Sequence, residues 1–283
     1  MNERLAPNPS AEVKELSIEG RRFSYFETGS GKTIVLVHGL FGDYLDWAPV
    51  LAPLSAGHHV IALDLPGFGG SDAPPGGCTL EAYAESLEAF FAALDLKDFL
   101  LVGNSLGGMI CSYYAARHAT RLRGLILVSS AGMRAYSDEE RGLVAERFSA
   151  SALSLLRPEH IEPLFTINFA RQTPQREAYM QHQRTKLGWP HREEYSQVLS
   201  ACAQMAFVHQ VVPWLEGIDK PILLLWGDAD PVFPLALAQA ALPHLKRPSL
   251  KVIHEASHMP QMDQPELFVA AVEDFLNTVQ GAG

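Results

Sequence analysis

The stretch of the chain most able to do chemistry is GNSLG, from Gly103 to Gly107, which follows an apolar run and precedes a segment with helical spacing. A Gly-x-Ser-x-Gly pattern between a buried strand and a helix is typical of a nucleophile elbow. The sharp turn strains the backbone of the central residue, and the flanking glycines keep other side chains away from it. Ser105 would then lie at a helix N-terminus, where free N–H groups stabilise developing negative charge. The pattern predicts a nucleophilic Ser105, although a glycine-rich turn with a spectator serine has the same letters.

Two loops further along the chain carry the groups that a nucleophilic serine needs. A serine hydroxyl attacks a carbonyl with the help of an adjacent base, which a third group orients. The loop after one predicted strand carries Asp228 and Asp230, and the loop after the next carries His258. The sequence therefore offers His258 as the base for Ser105 and leaves two candidates for the orienting acid.

The elements that must position these loops alternate between strands and helices. Continuous apolar runs, typical of strands buried in a parallel sheet, occur at residues 33–37, 59–63, 99–102, 125–128, 221–226 and 250–253. Helices are predicted at residues 79–94, 235–242 and 265–279, and an antiparallel hairpin at residues 13–18 and 22–27. This alternation predicts an α/β fold with a mostly parallel central sheet flanked by helices.

The middle of the chain, residues 133–217, has no run typical of a buried strand. It is predicted to form several short helices, broken at Pro158, Pro163, Pro174 and Pro190. Its many large apolar residues favour a helical cap inserted into a core domain of residues 1–132 and 218–283, with an inner face lining an apolar substrate pocket. Which cap residues line that pocket cannot be read from the sequence.

Composition excludes some classes of partner. The 283 residues are 47% hydrophobic and 19% charged, which is typical of a globular protein able to bury a full core. A formal net charge of −10 argues against nucleic acid or an anionic membrane as a partner. A small-molecule substrate is the expected partner, and the oligomeric state is left open.

Three features bear on the compartment. Cys78, Cys111 and Cys202 have neither the spacing of a zinc site nor the even number of a disulfide framework, so a reducing compartment is expected. Residues 1–11 are predicted to be a frayed tail, and the N-terminus lacks the apolar core of a signal peptide. No run approaches the roughly 20 apolar residues of a membrane helix. The resulting expectation is a cytoplasmic protein.

Together these loops resemble those of the α/β-hydrolase fold family over nearly the whole chain. The family's HG-x loop is similar to residues 38–40, and its Asp-x-Pro-Gly loop is similar to residues 64–71. Its elbow is similar to residues 103–107, its acid loop to residues 227–230, and its histidine loop to Ser257-His258. Since the five motifs occur in the family's order and context, the chain resembles a serine esterase of this family with a helical cap.

The resemblance implies a catalytic triad. Ser105 would be the nucleophile, His258 the general base and then acid, and Asp230 the orienting acid. Asp228 is the competing acid because it lies in the same loop, where its alternative role is that of a capping or turn residue. The family's spacing favours Asp230.

The resemblance also implies an oxyanion hole and part of a substrate pocket. The oxyanion donors would be the backbone N–H groups of Leu40 and Leu106. Phe41 is expected in the pocket wall, with a core aromatic as the alternative, and Asn104 and Met259 are further candidates for substrate contact.

The letters from His254 to His258 match H-E-x-x-H, the signature of zinc proteases. That signature binds zinc on a helix, where histidines four residues apart share a face. Here it follows a strand-like run and Pro260 comes soon after, so neither a helix nor a metal site is predicted. The glycine-rich residues 67–70 lack the spacing of a dinucleotide fingerprint, so no cofactor is expected.

A serine at the elbow points to acyl transfer, because members of the family that open epoxides or cleave carbon–halogen bonds carry aspartate there. The favoured reaction is hydrolysis of a carboxylic ester with an apolar, small to medium acyl group through an acyl-enzyme. The alternatives are a carbon–carbon bond hydrolase of ring-cleavage products, a lactonase, a thioesterase, a peroxide-forming enzyme and, outside enzymes, a ligand-binding receptor with a damaged triad. The ring-cleavage group usually has Gly-Pro-Gly in the oxyanion loop and tryptophan after the histidine, where this chain has Leu40-Phe41-Gly42 and Met259.

Overall fold

The centre of the fold is an eight-stranded sheet. The structure is a computed structural model that describes residues 12–280, so the predicted tail at residues 1–11 lies outside the described residues. The strands are β1 (Glu12–Ile18), β2 (Arg21–Gly29), β3 (Lys32–Val37), β4 (His58–Leu63), β5 (Phe99–Asn104), β6 (Leu122–Val128), β7 (Ile222–Gly227) and β8 (Pro248–Ile253).

The strands lie in the order β1-β2-β4-β3-β5-β6-β7-β8. The hairpin of β1 and β2 and the pair of β2 and β4 are antiparallel, whereas every later pair is parallel. The carboxyl ends of β3, β5, β7 and β8 therefore meet at one edge of the sheet, where the loops with the candidate residues begin. The predicted α/β fold with a mostly parallel sheet is confirmed.

Helices cover both faces of the sheet and fill the middle of the chain. They are α1 (Ala48–Ser55), α2 (Leu80–Ala93), α3 (Leu106–His118), α4 (Asp138–Arg147), α5 (Ala150–Ser154), α6 (Pro158–Phe165), α7 (Pro174–Lys186), α8 (Arg192–Val208), α9 (Val212–Leu215), α10 (Leu235–Ala241), α11 (Pro260–Asp263) and α12 (Pro265–Gln280). None of the helices within residues 12–280 combines the length and the apolarity that crossing a membrane requires.

Two hydrophobic cores lie on opposite faces of the sheet. In β3, Ile34 and Leu36 belong to the core formed with α1 and α12, and Val35 and Val37 belong to the core formed with α2 and α3. All four side chains are fully buried. Burial on both faces explains why the strand is a continuous apolar run rather than an alternating one.

The helices α4 to α9 all lie between β6 and β7, and this part of the chain contains no strand. Pro158 and Pro174 are the first residues of α6 and α7, where the missing N–H removes no helical hydrogen bond. Pro190 separates α7 from α8. The prediction that Pro163 breaks a helix is wrong, since it lies inside α6, where it removes one hydrogen bond from a short helix that ends soon afterwards. That α4 to α9 form a separate cap domain stays a prediction.

Candidate active site

Ser105 lies at the sharp turn between β5 and α3. Its backbone has φ of +54° and ψ of −117°, a combination that residues with a side chain rarely adopt. A Cβ on Gly103 would lie 2.5 Å from the carbonyl oxygen of Gly107, and a Cβ on Gly107 would lie 2.4 Å from that of His38. Glycine is therefore required on both sides of Ser105, and the strain at Ser105 is of the kind that clusters at functional sites.

Backbone hydrogen bonds hold Ser105 in this conformation. Its N–H donates to the carbonyl oxygen of Val128 at 2.9 Å, and its own carbonyl accepts from the N–H of Met109 at 3.2 Å and of Ala131 at 3.0 Å. The end of β6 and the first turn of α3 thus fix the residue from two directions. The Ser105 side chain is held immediately before the N-terminus of α3, where partial positive charge accumulates.

The loops after β7 and β8 bring Asp230 and His258 into contact. Nδ1 of His258 lies 3.0 Å from Oδ2 of Asp230, and the two side chains are only 7% and 0% exposed. Because a carboxylate can only accept, this bond places the proton of a neutral His258 on Nδ1 and leaves a free lone pair on Nε2. The pair has the arrangement that an oriented general base requires.

Backbone groups complete the surroundings of Asp230. Its Oδ1 accepts from the N–H of Val232 at 2.9 Å and from the N–H of Phe233 at 3.0 Å. Gly227 lets the two loops approach each other, since a Cβ there would lie 2.2 Å from the carbonyl oxygen of Ser257. Hydrogen bonds to both oxygens stabilise this buried carboxylate.

Asp228 and His254 form a separate pair at the surface. Nδ1 of His254 lies 2.9 Å from Oδ2 of Asp228, and the His254 side chain is 81% exposed. The structure therefore brings Asp230, and not Asp228, to His258. The residues between the two histidines are not helical, and Glu255 has a φ of +55°, so the H-E-x-x-H letters do not place the histidines on one helix face.

The loop after β3 makes a tight turn over residues 39–42. The N–H of Gly42 donates to the carbonyl oxygen of Gly39 at 3.1 Å. Phe41, at the third position of the turn, has a φ of +65°, where glycine or asparagine is usual. The turn's own hydrogen bond does not use the N–H of Leu40, which remains available to a ligand.

His38 fixes the direction of that N–H. Nε2 of His38 accepts from the N–H of Leu65 at 2.9 Å, so Nδ1 carries the proton and donates to the carbonyl oxygen of Gly39 at 2.7 Å. The Gly39 carbonyl and the Leu40 N–H belong to one planar peptide and point in opposite directions. Holding the carbonyl therefore also holds the N–H.

A cavity of about 380 Å³ joins these parts. Ser105, His258, Leu40 and Leu106 all line it, and Leu106 is the first residue of α3, where an N–H has no helical acceptor. Most of the remaining wall is apolar. It includes Phe41, Val232 and Phe233 from the loops after β3 and β7, Phe165 of α6, Phe207 of α8, and Phe148, which directly follows α4.

Comparison with known proteins identifies the family. A model of the α/β hydrolase fold matches residues 32–265, which include every loop described above. The chain belongs to the α/β-hydrolase fold family. The family that the five motifs predicted is confirmed.

The relatives of this α/β hydrolase include esterases. The chain is 30% identical over 261 residues to the pimeloyl-[acyl-carrier protein] methyl ester esterase of Neisseria meningitidis, with 88% of this chain and 94% of that protein covered. A thermophilic esterase from Thermogutta terrifontis is similar in structure, with a TM-score of 0.78 and 28% identity over 95% of this chain and 99% of the other. A bacterial membrane phospholipase A has a TM-score of 0.81 and 29% identity, with 96% of this chain and 87% of the other covered.

Two of the expected substrate-contact residues of the hydrolase do not line the cavity. The Asn104 amide donates to the carbonyl oxygens of Val128 at 3.1 Å and of His258 at 3.2 Å, so it connects β5 to the neighbouring loops instead of facing a substrate. Met259 is buried in the hydrophobic core. Both lie beside a candidate catalytic residue in sequence, but adjacency in sequence does not bring a side chain to the cavity: Leu106 lines it, whereas Asn104 and Met259 do not.

Most of the cavity wall, and one group of polar contacts behind it, were not predicted from the sequence. Phe148, Phe165 and Phe207 carry no sequence signal that separates a cavity residue from a core residue of the helical segment. Phe233 had one, because it lies in the same short loop as Asp230. The polar contacts of α7 with the turn over residues 39–42 join distant parts of the chain and leave no local pattern.

Burial of His38 is expected to make the folded hydrolase less stable as the pH falls. Burial, opposed in part by the hydrogen bond to the Gly39 carbonyl, lowers the pKa of His38 from 6.5 to about 4. The unfolded chain takes up this proton near pH 6.5, so the native state binds fewer protons between about pH 6.5 and pH 4. The free energy of unfolding therefore decreases through this window, and the His38 contribution reaches about 3 kcal/mol at its lower end.

Denaturant unfolding of the wild type and of His38→Gln, from pH 7 to pH 4, measures this contribution. Glutamine keeps an acceptor for Leu65 but does not titrate, so the stability of the wild type relative to the variant should decline by about 3 kcal/mol. Burial also raises the pKa of Asp64, to about 6. The contribution of Asp64 to the free energy of unfolding has the opposite pH dependence. Because the wild type and His38→Gln share it, it cancels in the difference between their stabilities. A difference independent of pH would contradict the expectation.

Proposed function

We propose that this protein is a serine hydrolase that cleaves a carboxylic ester with an apolar, small to medium acyl group through an acyl-enzyme. One observation carries the proposal: His258, bound to Asp230 through Nδ1, shares the wall of one apolar cavity with Ser105. Nε2 of His258 is thereby free to accept a proton from a group in that cavity. Similarity to the Neisseria and Thermogutta esterases supports the ester as substrate.

In the proposed first half-reaction, Oγ of Ser105 attacks the ester carbonyl carbon while Nε2 of His258 takes the hydroxyl proton. Asp230 stabilises the resulting imidazolium and keeps its own charge. The N–H groups of Leu40 and Leu106 donate to the carbonyl oxygen as it becomes negative, and one such donor lowers the barrier by about 3–4 kcal/mol. The tetrahedral intermediate collapses by breaking its C–O bond, and the imidazolium returns the proton to the departing alcohol.

In the second half-reaction, water takes the place of the alcohol. His258 removes a proton from the water as it attacks the acyl carbon on Ser105, and the same two N–H groups stabilise the second oxyanion. Collapse breaks the acyl–Oγ bond, and His258 returns the proton to Oγ. The products are a carboxylic acid and the free enzyme.

The cavity supports an apolar acyl group of limited size. Its volume of about 380 Å³ lies at the small end of the range for ligand cavities. Burial of an acyl chain against the phenylalanine-rich wall contributes about 0.8 kcal/mol per methylene group. In this proposal α4, α6 and α8 act as the cap, because each supplies apolar side chains to the wall.

Hydrolysis of a series of p-nitrophenyl esters from acetate to decanoate tests the proposal. We expect kcat/KM to rise by up to about fourfold per methylene group until the cavity is filled, and then to fall. The rate should be insensitive to EDTA, since the scheme draws its base and its oxyanion donors from the protein. A spectrophotometric assay of released p-nitrophenolate gives the whole profile.

Three other outcomes have distinct meanings. Labelling of Ser105 by a fluorophosphonate without ester turnover would retain the triad and favour a carbon–carbon bond, lactone or thioester substrate. Equal rates for all chain lengths would contradict the apolar acyl pocket. The absence of both ester turnover and fluorophosphonate labelling would refute the proposal that the protein is an enzyme. It would favour a ligand-binding receptor of the same fold.

A further inference from the structure

Two side chains of α7 hold the backbone of the turn that carries Leu40. Nζ of Lys186 donates to the carbonyl oxygen of Phe41 at 2.6 Å, and Nε2 of Gln183 donates to the same oxygen at 3.2 Å. Lys186 and Gln183 are each only 3% exposed. Because α7 lies in the helical segment between β6 and β7, these contacts join that segment to the turn over residues 39–42.

We propose that Lys186, assisted by Gln183, is a positioning residue for this turn: by holding the Phe41 carbonyl it fixes the direction of the Leu40 N–H. The role rests on the proposed function, in which that N–H stabilises the oxyanion. Neither side chain lines the cavity that contains Ser105, so both act through the turn and not on the substrate.

Asp43 forms a buried ion pair with Lys186. Nζ lies 2.7 Å from Oδ2 of Asp43, an oxygen that also lies 2.6 Å from Nε2 of His182. Oδ1 of Asp43 accepts from the N–H of Leu45 at 3.0 Å. Burial alone would raise the pKa of the Asp43 carboxyl, but Lys186 and His182 beside it hold that pKa well below its usual range. An ionised donor makes the stronger kind of hydrogen bond, so the Phe41 carbonyl is held firmly.

Phe41 needs such a constraint because its backbone is unfavourable. Its φ of +65° is uncommon for a residue with a side chain, and positions of this kind persist where the surrounding structure over-determines them. The two donors on its carbonyl act on the backbone. Its ring packs edge-on against Phe165, with 5.1 Å between ring centroids, and lies 6.3 Å from the ring of Phe148.

The turn is thus held at both ends. His38 fixes the peptide plane before Leu40 through the Gly39 carbonyl, and Lys186 fixes the plane after Phe41. Only the φ and ψ angles of Leu40 and Phe41 lie between these two planes. Release of the Phe41 carbonyl would let Phe41 leave the left-handed region, and the Leu40 N–H would lose its fixed direction.

Lys186→Met tests this role, since methionine fills a similar volume without a donor. With the preferred p-nitrophenyl ester we expect kcat to fall about 100-fold while KM stays within about twofold, because a misplaced oxyanion donor weakens the transition state and not the ground state. The affinity for an alkyl boronic acid, which forms a tetrahedral adduct with Ser105, should fall by the same factor as kcat/KM. Inhibition by the carboxylic acid product should be unchanged.

Arg184→Met is the matched control. Arg184 lies on the same helix and pairs with Glu162 at 3.3 Å, but it does not contact the turn. We expect this variant to keep the wild-type kcat and boronic acid affinity. A folded Lys186→Met with unchanged kcat would overturn the proposal, and so would parallel losses in kcat, in product binding and in Tm, which indicate a structural role.

Lys186→Met leaves the buried Asp43 carboxylate without its cation and can fail to fold for that reason. Gln183→Leu preserves the ion pair and removes one donor from the Phe41 carbonyl, so it should lower kcat about tenfold. As with Lys186→Met, boronic acid affinity should fall with kcat/KM, whereas KM should stay within about twofold and product inhibition should be unchanged. Unchanged kcat in a folded Gln183→Leu and in the double variant Lys186→Met/Asp43→Asn would overturn the proposal. If the wild type neither hydrolyses the ester nor binds the boronic acid, the proposed function itself fails, and the positioning role falls with it.

Discussion

Replacement of Ser105 by alanine is expected to lower kcat for ester hydrolysis by about 10⁵- to 10⁶-fold while the protein remains folded. The loss is large because the acyl group has no other atom to bond to, whereas the cavity and the oxyanion donors remain. The fold should survive because the residue is held by backbone hydrogen bonds to Val128, Met109 and Ala131. The hydrolysis rate and the thermal unfolding curve of the same sample measure both parts.

Fluorophosphonate labelling provides the control for this experiment. The wild type should bind one equivalent of label on Ser105, and the alanine variant should bind none. Full activity in a folded Ser105→Ala would contradict the assignment of the nucleophile. Loss of activity together with loss of the unfolding transition would mean only that Ser105→Ala is unfolded. The neighbouring variant Leu106→Met, which leaves the Ser105 hydroxyl in place, would then show whether the elbow tolerates a substitution.

Asp230→Asn is expected to lower kcat by about 10⁴-fold with little change in KM. Asparagine has nearly the same shape, but its NH₂ group can donate to Nδ1 of His258 and thereby favour the tautomer with the proton on Nε2. The nitrogen that faces the cavity would then have no lone pair for the Ser105 proton. The backbone donors Val232 and Phe233 can still be satisfied by the amide oxygen.

Asp228→Asn is the matched control, because the same substitution is made two residues away. Its carboxylate pairs with the exposed His254, so we expect kcat within about twofold of the wild type. If Asp228→Asn were the damaging change and Asp230→Asn the harmless one, the assignment of the acid would be reversed. Steady-state kinetics of the two variants decide between the carboxylates.

The nucleophile elbow was predictable because its requirements are local. Gly103 and Gly107 lie two residues from Ser105, and the contacts that exclude a Cβ at these glycines arise within the turn or where it meets the neighbouring strand. The strands were predictable for a similar reason, since burial on both faces of a parallel sheet demands an uninterrupted apolar run. Fold class and family therefore followed from short patterns in the order that the fold imposes.

The family's spacing favoured Asp230 over Asp228, but the contacts themselves follow from the tertiary structure. Both Asp228 and Asp230 follow β7, and only the paths of the two loops bring Asp230 to His258, which is 28 residues away. The cavity wall depends on how α4, α6 and α8 pack, because an apolar helical residue can face either a core or a cavity. Lys186 and the Phe41 carbonyl are 145 residues apart, so no local pattern could pair a lysine with the turn it holds. Neighbouring residues determine local backbone geometry, so it can be predicted from the sequence. Contacts between distant loops and helices form only once the sheet has set their positions.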